Sequence, residues 1–136
     1  MSELLALGIS HKTAPVALRE RVALGGNDNE AVLREATASA AVEEAVAIST
    51  CNRTEFYLVV GDPVAAESAV LGLLARRAGI RPTELAEVIY SPRNCDAARQ
   101  LYRVTSGLES MIVGEHEVQG QVKRSYETAV AAGTTG

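Results

Sequence analysis

The spacing of apolar positions predicts three β-strands within the first 60 residues. Leu4 to Ile9 is a short apolar run without helical spacing, and a second run is centred on Ile48. In the run from Thr54 to Val60 apolar residues recur at every second position, the period typical of a strand. Only the polar residues Thr50 to Arg53 separate the second run from the third, so we expect these two strands to form a hairpin.

Helical spacing and helix-end residues predict the elements that lie between and after these strands. Pro15 suits the first turn of a short helix, with Thr13 or Ala14 before it at the cap position. Val88 to Tyr90 is apolar and predicts a short fourth strand. Further helices are predicted from Asn27 or Asp28 to about Ala40, from Asp62-Pro63 to Gly79, over one turn from Pro82, from Asp96 to Thr105 or Ser106, and from Glu115 onward through Val118, Val122, Tyr126 and Val130.

The resulting order of elements is strand, helix, strand, strand, helix, strand. This order predicts an α+β protein with a ferredoxin-like βαββαβ fold over residues 1–91, an antiparallel sheet and helices on one face. Residues 92–136 are expected to add further helices at the carboxyl end. A length of 136 residues suits a single domain.

Composition and charge narrow the classes of function. The chain is 47% hydrophobic but 4% aromatic with no Trp, so its core is expected to be aliphatic. The net charge is -4; residues 1–71 carry 5 Lys/Arg against 10 Asp/Glu, and residues 72–136 carry 8 against 7. Because non-specific binding to nucleic acid requires several cations that neutralise phosphates, a generic nucleic-acid binder is not expected. A local basic patch in the second half is compatible with this charge.

The cysteine count and the amino-terminal sequence predict a protein of the cytoplasm, a reducing compartment. The two cysteines, Cys51 and Cys95, form no C-x-x-C pair, and with two histidines a structural zinc site is not expected. The amino terminus has neither a basic region nor a long apolar region typical of a signal peptide. No apolar run approaches the roughly 20 residues of a membrane-spanning helix. Both thiols are therefore expected to be free.

Cys51 is the strongest candidate for chemistry. A free cysteine is most often a small buried hydrophobic residue, but this one lies at a hairpin tip between Thr50 and Asn52. Arg53, two positions further on, would favour the reactive thiolate and could bind a carboxylate through two hydrogen bonds. The alternative for Arg53 is a surface charge that pairs with Glu55.

The remaining candidates are weaker on the sequence alone. His11 reads as a loop residue and His116 as a solvated residue at a helix start. The segment from Ser106 to Gln121 has glycines at both ends of its first part and polar groups at Ser110 and Glu115, and it is either a site or a compact connector. The sequence contains neither a G-x-G-x-x-G fingerprint nor a P-loop.

Three motifs, in this order and spacing, resemble the glutamyl-tRNA reductase family. They are GISHKTAP from Gly8 to Pro15, STCNRTE from Ser49 to Glu55, and SGLESMIVGE from Ser106 to Glu115, which is followed by GQVK from Gly120 to Lys123. The resemblance covers essentially the whole chain and corresponds to the amino-terminal catalytic part of the family. It implies that a spinal helix, an NADPH-binding Rossmann domain and a dimerisation domain belong to the full-length protein but not to residues 1–136.

The resemblance also implies a reaction and a set of site residues. Cys51 would attack the ester of glutamyl-tRNA to form a thioester, and NADPH on the other domain would reduce it to glutamate-1-semialdehyde for tetrapyrrole (porphyrin) synthesis. A thioester accepts hydride more readily than an ester, and a covalent intermediate divides one difficult step into two. The implied partners are glutamyl-tRNA, a second copy of the chain and glutamate-1-semialdehyde aminotransferase. The positions that match substrate contacts of the family are Thr50, Asn52, Arg53, Ser110, Glu115, His116, Glu117 and Gln121.

The chain departs from the family pattern at two places. The family commonly has a histidine ten residues before the serine matched by Ser110, whereas this chain has Gln100, which cannot exchange a proton but can donate a hydrogen bond. The usual Glu-Pro-Gln is Glu-His-Glu here, so Glu117 replaces an amide. His11 or His116 could supply the titratable group, and the sequence does not decide between them.

Two other functions fit the same residues. A hydrolase or acyl-transferase would keep the thiol chemistry of Cys51 and lack the reduction. A non-catalytic module would bind tRNA or a pathway protein and would have an unreactive Cys51.

Overall fold

The computed structural model describes residues 2–24, 28–105 and 126–134. Residues 126–131 are helical. The named elements in chain order are β1 (Glu3–Ser10), α1 (Val16–Val22), α2 (Asp28–Ala38), β2 (Val42–Ser49), β3 (Arg53–Val60), α3 (Pro63–Ala78), α4 (Pro82–Ala86) and α5 (Cys95–Thr105).

A three-stranded antiparallel sheet in the order β1-β3-β2 organises the described part of the chain. β3 is the central strand, and its register places Glu55 opposite Gly8 of β1 and Thr54 opposite Ser49 of β2. The three strands predicted from the alternation are confirmed, as is the hairpin between β2 and β3. Arg53 is the first residue of β3, so the connection is one residue shorter than expected.

The prediction of a fourth strand at Val88 to Tyr90 is wrong, because these described residues form no strand. Two isolated bridges, Gly8 to Tyr90 and Leu5 to Arg93, run along the free edge of β1. Gly8 and Tyr90 exchange both backbone hydrogen bonds, at 3.0 and 2.9 Å, and the Ala6 N–H donates to the Pro92 carbonyl at 2.9 Å. Pro92 has no N–H to return to Ala6, which interrupts the ladder.

Both faces of the sheet are covered, which corrects the expectation that helices lie on one face. One core cluster joins the inward side chains of β1 and β3 to residues of α2, α3 and α4, including Leu33, Val70 and Leu85. On the other face, Ala97 and Val104 of α5 pack with Ile48, Tyr57 and Ala6. The sheet is therefore the middle layer, and every residue of β3 except Val59 is buried.

The helix ends follow the local signals closely. The Asp62 carboxylate accepts hydrogen bonds from the backbone N–H groups of Val64 and Ala65 at 3.1 and 3.2 Å, and α3 ends where Gly79 adopts a left-handed φ of 70°. Pro15 is the residue before α1 rather than its first residue. Instead of capping that helix, the Thr13 hydroxyl accepts a hydrogen bond from Ser10 N–H at 3.0 Å.

The predicted long carboxyl-terminal helix falls largely outside the described residues. Within residues 126–131, Tyr126 and Val130 are about half exposed, and Ala129 between them is buried in the main core. Among the described residues, no helix combines the length and the apolar character that crossing a membrane requires.

Candidate functional site

The turn between β2 and β3 presents Cys51 to solvent on a hydrogen-bonded frame. Thr50 N–H donates to the Arg53 carbonyl at 2.8 Å, and Asn52 N–H donates to the Thr50 hydroxyl at 3.1 Å. Cys51 is exposed, and its thiol lies 3.7 Å from the Asn52 side-chain oxygen, a distance at which it can donate a weak hydrogen bond. The predicted placement of the thiol at the hairpin tip is therefore confirmed.

Two neighbouring elements hold this turn in place. His11, just after β1, donates its backbone N–H to the Asn52 carbonyl at 2.8 Å. The Arg19 guanidinium of α1 donates from Nη1 to the Cys51 carbonyl at 3.0 Å. The loop after β1 and helix α1 thus lie next to the candidate nucleophile, although both are distant from it in sequence.

Arg53 lies in a different environment from Cys51. Its side chain is 4% exposed, and its Nη1 lies 3.4 Å from Oε2 of Glu55, which is 1% exposed. The sequence also allowed a surface ion pair between Arg53 and Glu55. The partner is correct but the surface location is wrong, because the pair is buried. The alternation that predicted one solvated face of β3 could not anticipate that α5 covers this face.

Glu55 accepts hydrogen bonds from four side chains, which with it form what we name the Glu55 cluster. The Tyr57 hydroxyl donates to Oε1 at 3.0 Å, and the Tyr90 hydroxyl donates to Oε2 at 2.5 Å. The Gln100 amide donates to Oε2 at 2.8 Å, and Arg53 completes the set. Gln100, at the position where the family commonly has a histidine, thus contacts a buried carboxylate.

Burial and the charge of Glu55 raise the pKa of Tyr57 and of Tyr90 well above the ordinary value of a phenol. Burial is the larger cause for both tyrosines, and Glu55 adds to it through its charge and its hydrogen bonds. Both hydroxyls therefore stay protonated and act as donors. The cluster is a fixed donor set around one carboxylate.

Gly8 provides the space for this cluster. A Cβ atom at position 8 would lie 2.6 Å from the Thr54 carbonyl oxygen and 2.7 Å from Cγ of Glu55. Because the nearest obstacle is backbone, the two strands cannot keep their spacing with a larger residue there. Gly8 of the first motif thus leaves room for the Glu55 side chain of the second motif, which lies opposite it on the neighbouring strand.

His11 is a basic group beside the Cys51 turn. Burial and the nearby charges of Arg53, Lys12 and Arg19 lower the pKa of His11 below its ordinary 6.5, while a hydrogen bond with the Asn52 backbone opposes the shift. Its Nδ1 is buried and has no hydrogen-bond partner among the described residues. Burial and the neighbouring cations therefore favour the neutral imidazole.

A cavity of about 330 Å³ opens beside Cys51, between the turn and one side of α1. Its lining residues are Val16, Arg19, Glu20, Ala23, Thr50, Cys51 and Asn52. Arg53 does not line it. No group of three metal-ligating side chains occurs within the described ranges.

The predicted site residues fall into three groups. Thr50, Cys51, Asn52 and Arg53 lie together on one hairpin, and Gln100 joins it through Glu55. Ser110, Glu115, His116, Glu117 and Gln121 lie outside the described residues. Sequence reasoning missed the roles of Glu55, Tyr90 and Arg19 in building the site. The one signal that the sequence offered for this cluster was an acidic residue, Glu55, within a largely apolar strand.

Comparisons with known proteins place the chain in a family. The family model described as "Glutamyl-tRNAGlu reductase, N-terminal domain" matches residues 7–136. A glutamyl-tRNA reductase of Syntrophotalea carbinolica is 41% identical over 132 residues, which are 97% of this chain and 30% of that protein. One of Rubrobacter xylanophilus is 43% identical over 129 residues, covering 95% and 30% of the two chains.

A solved structure shares the fold as well. Glutamyl-tRNA reductase from Methanopyrus kandleri superposes with a TM-score of 0.77 at 34% identity, over 98% of this chain and 29% of that one. The chain spans about three tenths of the length of these relatives. By the family model and by these relatives, the chain belongs to the glutamyl-tRNA reductase family, in which it matches the N-terminal domain.

Proposed function

We propose that this chain is the catalytic domain of an NADPH-dependent glutamyl-tRNA reductase and that Cys51 takes over the glutamyl group of glutamyl-tRNA. The observation that carries the proposal is the exposed thiol on a turn that the loop after β1 and helix α1 hold in place, in a chain that matches this family. Thiol attack on the ester carbon forms the carbon–sulfur bond, breaks the carbon–oxygen bond and returns the proton to the leaving ribose oxygen.

Arg53 is proposed to bind the γ-carboxylate of the glutamyl group. Its guanidinium faces Glu55 with one nitrogen at 3.4 Å, which is longer than a strong charge-assisted hydrogen bond. The Glu55 cluster then orients the Arg53 side chain through its contact with Glu55. Gln100 belongs to this support as a hydrogen-bond donor, and we assign it no acid–base role.

His11 is proposed to exchange the proton in place of the usual histidine. Its backbone bond to Asn52 fixes it next to the Cys51 turn, and its Nδ1 has no other partner among the described residues. A neutral imidazole can accept the thiol proton and then give it to the leaving oxygen. Thr50 and Asn52 shape the turn, and Asn52 also contacts the thiol.

The family resemblance places further substrate contacts at Ser110, Glu115, His116, Glu117 and Gln121, and we retain these positions as proposals. The resemblance likewise supports glutamyl-tRNA as substrate, a homodimer, glutamate-1-semialdehyde aminotransferase as a partner and a cytoplasmic location. The domain boundaries are proposed as one catalytic domain over 1–136, with a core over 1–91 and added helices over 92–136.

NADPH would supply the hydride that reduces the thioester. The sequence has no G-x-G-x-x-G fingerprint, and we assign no residue of this chain to NADPH. Its binding is proposed for a separate domain, as the family resemblance implies.

The ferredoxin-like topology is also retained as a proposal. The segment from Tyr90 to Asn94 runs antiparallel beside the free edge of β1, where a fourth strand of that fold would lie. Pro92 explains why its ladder is incomplete.

The test is covalent labelling of the 136-residue chain by glutamyl-tRNA charged with radioactive glutamate. We expect a label on Cys51 that hydroxylamine removes, because hydroxylamine cleaves thioesters, and no semialdehyde. Cys51→Ala should abolish the label without changing the free energy of unfolding by more than about 0.5 kcal/mol, since the side chain is exposed.

Cys95→Ala is the matched control, because Cys95 is the second exposed free thiol. It should label like the unchanged chain. A label that survives Cys51→Ala would overturn the proposal, and an unlabelled Cys51 that also resists iodoacetamide would favour a binding module instead. Free glutamate released without a stable label would favour the hydrolase.

A further inference from the structure

A cleft of about 460 Å³ opens between α2 and α3. Small and apolar side chains line its middle, among them Ala36, Ala69 and Leu73. A volume of this size lies within the range of pockets that bind small molecules. No residue of the Cys51 turn lines the cleft, so a molecule bound there would leave the proposed nucleophile accessible.

The two helices contribute one charge of each sign to this cleft. Glu35 of α2 and Arg76 of α3 both line it, and both are exposed. Neither side chain has an ion pair or a hydrogen bond within the described ranges. Arg77, the neighbour of Arg76, is instead paired with Asp28 at 3.3 Å. The cleft therefore presents two opposite charges that are free to bind a ligand.

Gly72 gives the Arg76 side chain room to lie along α3. Nη1 of Arg76 is 3.6 Å from the position that a Cβ atom on Gly72 would take. Because Gly72 also lines the cleft, this contact places one guanidinium nitrogen at the cleft wall. A guanidinium can bind a carboxylate through two parallel hydrogen bonds. Ser39 and Ser68 add hydroxyl groups, which can donate or accept, on the two sides of the cleft.

We propose that the cleft between α2 and α3 binds a small amino-acid zwitterion, with its carboxylate on Arg76 and its ammonium group on Glu35. A simple anion would be repelled by Glu35, and a simple cation by Arg76. A molecule that carries both charges pairs with both side chains. The carbon chain between the two charged groups lies over Ala69 and Gly72, whose small size leaves space for it.

The experiment compares three probes of similar length in titrations at pH 7, followed by NMR of the backbone amides of Ser68 and Gly72. The probe 4-aminobutanoate carries both charges, butanoate carries only the carboxylate, and butylamine carries only the ammonium group. We expect saturable shifts of both amides with 4-aminobutanoate. Each singly charged probe should bind about fivefold more weakly, as expected for the loss of one exposed ion pair.

Three variants test the residues of the cleft. Arg76→Gln and Glu35→Gln should each weaken binding of 4-aminobutanoate about fivefold, because each removes one of its two ion pairs. Ser68→Leu keeps both charges but fills the cleft, and it should abolish the shift of the Gly72 amide. Arg77→Gln is the matched control, because Arg77 lies in the same last turn of α3 but does not line the cleft. It should bind like the unchanged chain.

Equal affinity for the three probes would overturn the proposal, because one charged group would then account for all of the binding. A loss with Arg77→Gln as large as that with Arg76→Gln would overturn it too, since it would reflect the positive charge near the last carbonyls of α3 and not the cleft. The absence of any saturable shift at tens of millimolar 4-aminobutanoate would have the same meaning.

Discussion

The Cys51 turn and the Glu55 cluster differ in exposure and in the contacts that hold them, although Cys51 and Glu55 are only four positions apart in sequence. Cys51 is exposed, and four hydrogen bonds hold the backbone of its turn, two of them from His11 and Arg19 outside the turn. Glu55 is 1% exposed, and side chains from four positions hold its carboxylate. One hairpin thus combines an accessible reactive group with a buried polar support.

The difference separates the effects of substitutions. A change at the turn should alter reactivity and leave stability nearly intact, because few buried contacts are lost. A change in the Glu55 cluster should alter stability first, because a buried charge loses its partner. Arg53 belongs to both regions, since it is the first residue of β3, next to the turn, and its side chain contacts Glu55.

The largest effect on stability is expected for Glu55→Gln. The substitution keeps the volume of the side chain but removes the charge that faces the buried Arg53, and we expect a loss of about 3–5 kcal/mol in the free energy of unfolding. Urea unfolding measures it. Glu84→Gln is the control, because its ion pair with Arg81 is exposed and should contribute little.

The same variant has a second readout that is specific to the cluster. If it folds, the pKa of Tyr57 and of Tyr90 should fall towards the ordinary value of a phenol, because one of the two causes of the rise is gone. Burial should keep both above that value. The expected result of an ultraviolet titration, taken up to the pH of unfolding, is phenolate absorbance that appears at a lower pH in the variant than in the unchanged chain.

Gly8→Ala should have the next largest effect. The added Cβ would meet the Thr54 carbonyl oxygen at 2.6 Å, so β1 and β3 must move apart at the residue pair that carries Glu55. We expect a loss of roughly 1–3 kcal/mol, measured by thermal or urea unfolding.

Gly61→Ala is a matched control in the same hairpin region, because a Cβ at Gly61 would meet no atom within 4 Å. Equal destabilisation by the two changes would mean that the close approach of position 8 to Thr54 and Glu55 is not the cause.

Gln100→Leu should cost about 1–2 kcal/mol, because one donor to the Glu55 carboxylate is lost. Acylation of Cys51 should change only slightly, since we assign Gln100 to the support and not to proton transfer. Gln100→His, which restores the usual residue of the family, tests this by the pH profile of acylation. A new titration with the histidine variant, and a large loss of acylation with leucine, would show that position 100 acts in the chemistry.

The smallest effect is a pH dependence from His11. Its pKa in the folded protein lies below the ordinary 6.5, so the unfolded chain binds more protons near that pH. This group therefore lowers stability as pH falls below 6.5, and His11→Gln should remove that loss. Unfolding at pH 5 and pH 7, with the imidazole followed by NMR, measures both quantities.

Removing a neighbouring charge sharpens the comparison further. Arg19→Gln should move the pKa of His11 up towards 6.5, because Arg19 is one of the three cations that lower it. An unmoved resonance would contradict the close placement of the loop after β1 and helix α1 at this turn.

The local elements were predictable because their signals are local. Asp62 with Pro63 set the start of α3 and Gly79 its end, and the period of two in β3 did not depend on any distant residue. The fourth strand failed for a local reason that was also visible, since Pro92 lacks the N–H that a ladder needs. The thiol at the hairpin tip was likewise predictable from the turn around Cys51.

Only the tertiary structure decided what lies next to that hairpin. Burial of Glu55 depends on α5 covering the second face of the sheet, and no pattern within β3 carries that information. The contacts of Gln100, Tyr90 and Arg19 join residues that are 32 to 45 positions apart in sequence. Sequence by itself determined the three strands, the ends of α3, the exposed thiol and the family resemblance, because these rest on short-range patterns. Folding in three dimensions turned Arg53 from a surface charge into a supported buried cation, because partners brought from distant positions meet there.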